Sequence, residues 1–258
     1  EIRPRDWSSD VCSSDLISSS TGLISTAKSL DYETVTSYAL TVSVQDGKTT
    51  VTTSLTITVN NKNDAPVFKN APYLKAVDEN DAGAPVYTVS ATDQDTADSL
   101  RYFLSGSGSA DFVLHSSTGV ITLSRALNYE LTPSYSLSIL VLDSNGESST
   151  TNLEVTVNDL NESPRFVATP YSASIDENLQ TGFHVVQVTA TDEDSGDSLT
   201  YFLSGEDSSH FEINSLTGLV TTTQPLDRET VCSYALFVNV TDGTTSVREP
   251  LSITVDRK

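Results

Sequence analysis

The sequence predicts an all-β fold of tandem β-sandwiches, and three observations predict it. Apolar and polar residues alternate with period two through segments rich in Val, Ile and Thr. One block of motifs returns at spacings of 97 and 99 residues. Gly and Asn-Gly mark the turns, as at Asn145-Gly146, and no stretch carries a helical period.

The alternation is clearest late in each copy. Tyr135, Leu137, Ile139 and Val141 share one face of a strand, and Leu153, Val155 and Val157 do the same, as do Leu55, Ile57 and Val59. Such strands bury one face, and the pattern reads as antiparallel. The returning block starts at Thr21-Gly22-Leu23-Ile24, Thr118-Gly119-Val120-Ile121 and Thr217-Gly218-Leu219-Val220. Each is followed by Leu30-Asp31-Tyr32-Glu33, Leu127-Asn128-Tyr129-Glu130 or Leu226-Asp227-Arg228-Glu229, then by Tyr38-Ala39-Leu40, Tyr135-Ser136-Leu137 or Tyr234-Ala235-Leu236. A period near 100 is too long for a solenoid and suits a chain of whole sandwich domains.

The second and third copies carry about fifty residues ahead of the Thr-Gly turn, whereas the first has only a few. The expected organisation is therefore the C-terminal half of a repeat at 17–65, then full repeats at 66–163 and 164–258. A half-sandwich exposes its inner face and its unpaired strand edges, so the first segment is expected to be poorly stable by itself.

Residues 1–16 read as non-native. The run Asp6 to Leu16, DWSSDVCSSDL, matches one reading frame of a common high-throughput sequencing adapter, and Glu1, Ile2 and Arg5 fit the frame upstream. Trp7, the only Trp, and Cys12 belong to that segment. Cys232 is then a lone thiol, incidental rather than nucleophilic, because Thr36 holds its place in the first copy.

The formal net charge is −21, from 35 acidic against 14 basic residues, and setting the leading segment aside leaves this excess in place. It argues against nucleic acid or an anionic membrane surface as partner. No apolar run of about 18 residues is present to insert into a membrane. Nor is there a phosphate loop, a zinc ligand set or a catalytic constellation, since His115, His184 and His210 stand apart. The expectation is a protein without enzymatic activity. Asn239-Val240-Thr241 is a formal glycosylation acceptor.

The acids fall at fixed places. Each full copy opens with Asp-Glu-Asn, at Asp78-Glu79-Asn80 and Asp176-Glu177-Asn178. Next come Asp93-Gln94-Asp95 and Asp192-Glu193-Asp194, then the Asp31/Glu33, Asn128/Glu130 and Asp227/Glu229 pairs, then Asp46, Asp143 and Asp242 at the end of a late strand. The connectors read Asn61-Lys62-Asn63-Asp64-Ala65-Pro66 and Asp159-Leu160-Asn161-Glu162-Ser163-Pro164. An Asp-x-Asp on extended chain puts both carboxylates on one side. Two unit charges ~4 Å apart repel by roughly 4 kcal/mol at an effective dielectric near 20, so such grouping calls for a cation.

In this order the elements resemble the cadherin repeat, whose pattern is x-E-N, D-x-D, D-R-E, a late A-x-D and a D-x-N-D-N-x-P linker. The resemblance covers residues 17–258. It implies Greek-key, immunoglobulin-like sandwiches with calcium as the cofactor, bound at the junctions between successive repeats. Carried over, the first junction would use Asp31, Glu33, Asn63, Asp64, Asp93, Asp95 and Asp143, with backbone oxygens near Lys62, Ala65 and Asp98. The second would use Glu79, Asn128, Glu130, Asn161, Glu162, Asp192, Asp194 and Asp242, with carbonyls near Leu160, Ser163 and Asp197. Glu177, Asp227 and Glu229 would serve a following repeat.

Two departures weaken the match. The first junction has no opening Glu, and the second has Asn128 for the usual Asp and Glu162 for the linker Asp. At least one weakened ion position is expected at each junction, with affinities no tighter than about 10⁻⁴–10⁻³ M. By the same resemblance, the whole protein would mediate calcium-dependent, homophilic cell adhesion from the extracellular side of the plasma membrane. Its partners would be other cadherin-type ectodomains. The alternative is a bacterial secreted adhesin or surface protein whose cadherin-like repeats bind carbohydrate or matrix.

Overall fold

The computed structural model describes residues 15–18, 20–26 and 28–258, with the side chains described from Ile17 onward. Trp7, Cys12 and the first fourteen residues of the adapter-like segment lie outside the described residues. The strands are β1 (Asp15–Ile17), β2 (Ile24–Thr26), β3 (Ser37–Gln45) and β4 (Thr50–Thr58) in the first segment. The middle segment has β5 (Val67–Phe68), β6 (Tyr73–Asp78), β7 (Pro85–Thr88), β8 (Ala91–Thr92), β9 (Arg101–Ser105), β10 (Phe112–Leu114), β11 (Val120–Leu123), β12 (Ser134–Leu142) and β13 (Ser148–Asn158). The last has β14 (Arg165–Phe166), β15 (Tyr171–Asp176), β16 (His184–Gln187), β17 (Ala190–Thr191), β18 (Thr200–Ser204), β19 (Phe211–Ile213), β20 (Leu219–Thr222), β21 (Ser233–Thr241) and β22 (Ser246–Asp256). The only helical elements among the described residues are single 3-10 turns at Ser109–Asp111 and Ser208–His210.

By compactness the chain forms two units, residues 1–75, 84–124 and 136–154, and residues 76–83, 125–135 and 155–258. The second contains one complete sandwich. Its four-stranded sheet runs β15-β22-β21-β18 and its three-stranded sheet β16-β20-β19, with β14 paired to β17. Alternation along β21 turns Tyr234, Leu236, Val238 and Val240 inward, and β22 adds Leu251, Ile253 and Val255, all buried. Phe211 stacks edge-on against Tyr234 at 5.0 Å between ring centroids. In the first unit β10-β11-β7 form the equivalent small sheet. There β9 pairs with β12 from Arg101↔Leu142 to Ser105↔Ser138.

The wholly antiparallel expectation needs one correction. β15 runs parallel to β22, from Tyr171↔Leu251 to Asp176↔Asp256. Period-two alternation is the same for both pairings, so residue pattern alone cannot distinguish them.

The Thr-Gly turns have a steric reason. Gly119 and Gly218 both sit at φ +72, and a Cβ there would lie 2.2 and 2.3 Å from the carbonyl oxygens of Val89 and Val188. Val89 and Val188 return their own N–H groups to the two glycine carbonyls, at 2.9 and 3.0 Å. Only glycine tolerates both the left-handed backbone and the close approach.

Candidate metal centres

The Asp-Glu-Asn motif is built by a strand end followed by a left-handed residue. β6 and β15 deliver Glu79 and Glu177, and Asn80 and Asn178 then turn at φ 63 and φ 59. Asn tolerates that region better than most side chains. Glu79 is buried, and its two oxygens accept the backbone N–H groups of Tyr129 and Leu160, each at 2.7 Å. One side chain thereby joins the repeat opening, the middle motif and the connector, all inside the second unit.

Around it the carboxylates gather. Oxygens of Glu79, Glu130 and Asp159 lie within 4.8 Å of one another, as do those of Glu130, Glu162 and Asp194. The neighbouring cleft, about 640 Å³, is lined by Glu130, Asp159, Asn161, Asp194 and Asp197 among others. In the first unit the corresponding groups are Glu33, Asp64 and Asp95, and Asp93, Asp95 and Asp98. A further group, Glu177, Asp227 and Glu229, forms near the C-terminal end of β22. Oxygens sharing one calcium at 2.3–2.6 Å stand at most about 5 Å apart, so each cluster has the right span for a common ion.

Three hydrogen bonds recur at both junctions. The N–H of Asp64 donates to Asp95 Oδ2 at 2.8 Å, and that of Glu162 to Asp194 Oδ2 at 2.9 Å. Asn63 Nδ2 donates to Asp143 Oδ2 at 2.7 Å, and Asn161 Nδ2 to Asp242 Oδ2 at 3.1 Å. Within each Asp-x-Asp the second residue's N–H reaches the first carboxylate, at 3.0 Å for Asp93 and 3.1 Å for Asp192.

The predicted residues fall into two electrostatic kinds. The first kind caps turns. Asp31 accepts the N–H and hydroxyl of Thr34, Asp227 the N–H of Glu229 and the hydroxyl of Thr230, and Asn128 Oδ1 the N–H of Leu131. Asp242 accepts the hydroxyl and N–H of Thr245 and the N–H of Thr244, which together hold its carboxyl far below the usual range. For Asp143, burial is outweighed by the Asn63 amide and three turn N–H groups, and the net shift is downward. The Thr34 hydroxyl likewise lowers Asp31, and the Asp64 N–H lowers Asp95.

In the second kind like charges crowd together, with Asp93, Glu130 and Glu162 half-buried and Glu33, Asp159 and Asp197 exposed. Burial raises the carboxyls of Glu33, Asp93, Glu130, Asp159, Glu162 and Asp197, and neighbouring carboxylates push in the same direction. Among the described residues four buried side-chain oxygens have no hydrogen-bond partner: Asp93 Oδ2, Glu130 Oε2, Glu162 Oε2 and Asp192 Oδ2. All four belong to the predicted ligand set. A buried carboxylate oxygen left without a partner is costly, and hard oxygen donors in this arrangement suit calcium. The residues present therefore fit the ion.

Three carboxylates in these clusters were not assigned as side-chain ligands from the sequence. Asp98 and Asp197 were expected to offer only backbone oxygens, yet Asp98 joins the Asp93/Asp95 group and Asp197 lines the cleft. Asp159 sits beside Glu79 and Glu130. The signal was present: Asp98 and Asp197 each fall three residues after an Asp-x-Asp, and Asp159 opens its connector. In the first connector Asn61 takes that place, donating to Asp95 Oδ1 at 2.9 Å. The substitution at Asn128 leaves its amide on Glu193, at 3.0 Å. The acceptor Asn239 lies in β21 with its amide nitrogen donated to Phe202 O and Ser204 Oγ, at 3.2 and 2.9 Å.

A family model described as the cadherin domain matches residues 16–60, 73–158 and 171–256. The chain belongs to the cadherin family. It is 37% identical over 247 residues to the mouse (Mus musculus) protein named Cadherin EGF LAG seven-pass G-type receptor 2, a match covering 91% of this chain and 8% of that protein. It is 35% identical over 240 residues to the Protocadherin-like wing polarity protein stan of Drosophila melanogaster, covering 86% of this chain and 7% of the relative. Among solved structures, mouse Cadherin-23 EC22-24 superposes with a TM-score of 0.64 at 27% identity, over 95% of this chain and 83% of that one. A protocadherin gammaB7 EC3-6 cis-dimer structure gives 0.65 at 26%, over 94% and 62%. These cadherin repeats thus span under a tenth of the length of the curated relatives they match.

Proposed function

We propose that the chain is a calcium-ordered segment of an extracellular adhesion protein, with ions at the two acidic junctions holding successive repeats in fixed orientation. The observation that most directly supports this is the set of unpartnered buried oxygens on Asp93, Glu130, Glu162 and Asp192. At the first junction Glu33, Asp64, Asp93, Asp95 and Asp98 would hold the cation, with Asp31, Asn63 and Asp143 beside them. At the second Glu79, Glu130, Asp159, Glu162, Asp192 and Asp194 would do so, with Asn128, Asn161 and Asp242 alongside. Glu177, Asp227 and Glu229 would supply a further site. When bound, calcium neutralises carboxylates that otherwise repel one another across the connector.

For the whole protein, the likeness to receptors and protocadherins supports repeats on the outer side of the plasma membrane and a binding role. Other cadherin-type ectodomains, homophilic ones included, are the proposed partners. The bacterial reading is not carried further, because the named relatives are animal proteins. No described helix is long and apolar enough to cross a membrane.

Calcium titration of the chelated chain tests the proposal, read by thermal melting and small-angle scattering. With calcium at 100 times its Kd, each occupied site adds about 2.7 kcal/mol of stability. Asp192→Ala combined with Asp194→Ala should abolish the response of the second junction and leave its sandwich folded. No change in melting or in interdomain flexibility at millimolar calcium would sink the reading.

A further inference from the structure

Asn145-Gly146 is the only Asn-Gly pair in the chain. Its glycine has no Cβ to shield the backbone nitrogen, so that nitrogen can attack the asparagine side-chain amide. The new bond joins Gly146 N to Asn145 Cγ. The amide nitrogen leaves as ammonia with the proton lost from Gly146, and water opens the cyclic imide to aspartate or isoaspartate. Water is the only co-reactant.

The structure ties both reacting groups to carboxylates in one turn. Asp143 Oδ1 accepts the N–H of Gly146, together with those of Asn145 at 2.8 Å and Glu147 at 3.0 Å. Asn145 Nδ2 donates to both oxygens of Asp98, at 2.9 and 2.8 Å, and to Asn63 Oδ1 at 2.9 Å. Asn145 is exposed to the water the reaction needs, and no atom lies within 4 Å of the space a Gly146 side chain would take. The counterpart turns, Asp46-Gly47-Lys48 and Asp242-Gly243-Thr244, have no Asn. Only the middle repeat carries this arrangement.

We propose that Asn145 is a site of spontaneous deamidation gated by the Asp143 carboxylate. While the turn is closed, the nucleophilic nitrogen is held on Asp143 and the leaving amide on Asp98 and Asn63. Each opening of the turn exposes the pair to reaction. Conversion replaces the donor that links Asp98 to Asn63 with a carboxylate that repels Asp98 and Asp143, so the loop beside the first acidic cluster loosens irreversibly. None of these steps requires a bound cation.

The test ages the whole chain with chelator at mildly alkaline pH. Peptide mapping by mass spectrometry and enzymatic isoaspartate labelling then measure conversion at residue 145. Conversion in the folded chain is expected to be about tenfold slower than in the same chain in urea, the factor expected from hydrogen bonds to a charged acceptor. Asp143→Ala should recover most of that factor when folded and match wild type in urea. If Asp143→Ala fails to fold, Asp98→Ala removes two of the three acceptors of the amide but leaves Asn63 and the turn cap, and should accelerate conversion by about threefold. An Asn145 that survives intact in urea overturns the site. Equal folded and unfolded rates, or a folded capping variant no faster than wild type, overturn the gate.

Discussion

The hairpin β3–β4 near the start of the chain and the hairpin β21–β22 near its end are one sequence pattern in two surroundings. Both carry Ser-Tyr-Ala-Leu, and both pair in the same register, Ser37↔Thr58 against Ser233↔Thr254. In β21 the inward residues are buried, with Leu236 at 1% exposure. In β3 the matching Tyr38, Leu40 and Val42 are only half-buried, and Val44 and Val51 stand 56% and 69% exposed. Alternation therefore selects the hairpin and its face, but only strands from elsewhere in the sandwich bury that face. The described part of the first segment supplies counterparts of β19 to β22 and no others.

Core truncation should separate the two hairpins most. Leu236→Ala is expected to cost about 2–5 kcal/mol of the last sandwich's stability. Leu40→Ala should cost less than about 1 kcal/mol, since the side chain is only half removed from water. Denaturant unfolding of each variant measures both, and similar costs would break the comparison. The glycines come next. Gly218→Ala combines a strained backbone with a clash against Val188 O, whereas Gly22, at φ +70, has no atom within 4 Å of its would-be Cβ. Gly22→Ala should therefore cost only the left-handed penalty of about 1–2 kcal/mol, and Gly218→Ala clearly more. Hydrogen exchange in β2 and β20 reads the difference locally.

The smallest expected effect is on pH dependence, and it contrasts the crowded and the turn-capping carboxylates. Glu130, Asp159 and Glu162 are raised by burial, so the folded chain binds their protons more readily than the unfolded chain. The stability that protonation contributes is present below the unfolded carboxyl pKa and is lost as pH rises through the raised folded values. Asp143 and Asp242 are lowered, and their contribution is present above the unfolded value and lost as pH falls through the depressed ones. The chelated chain should thus gain thermal stability from about pH 7 towards the upper carboxyl range near pH 5, then lose it on further acidification. Calcium should erase the gain. A monotonic fall in melting temperature from neutral pH downward would contradict this assignment.

Much of the site was legible because its residues recur in order. Asp93/Asp95 and Asp192/Asp194 could be found by spacing, and Glu79 by its place in Asp-Glu-Asn. Asp98, Asp159 and Asp197 were not picked out as side chains beside these clusters, although Asp98 and Asp197 share one offset from their Asp-x-Asp. Their role depends on where a connector folds back, and linear spacing does not encode that distance. Nor does an Asp in the sequence reveal its electrostatic kind. Asp31 and Glu33 are two residues apart, yet a threonine hydroxyl lowers one and burial raises the other.

By itself the sequence determined the alternating strands, the period and most of the acidic positions that gather at the junctions, because alternation and motif order are local properties of the chain. The parallel pairing of β15 with β22 came only from the tertiary structure. So did the burial that divides β21 from β3 and the partnerless oxygens at the junctions. Each depends on which distant backbone arrives alongside, and on whether it excludes water or supplies a donor.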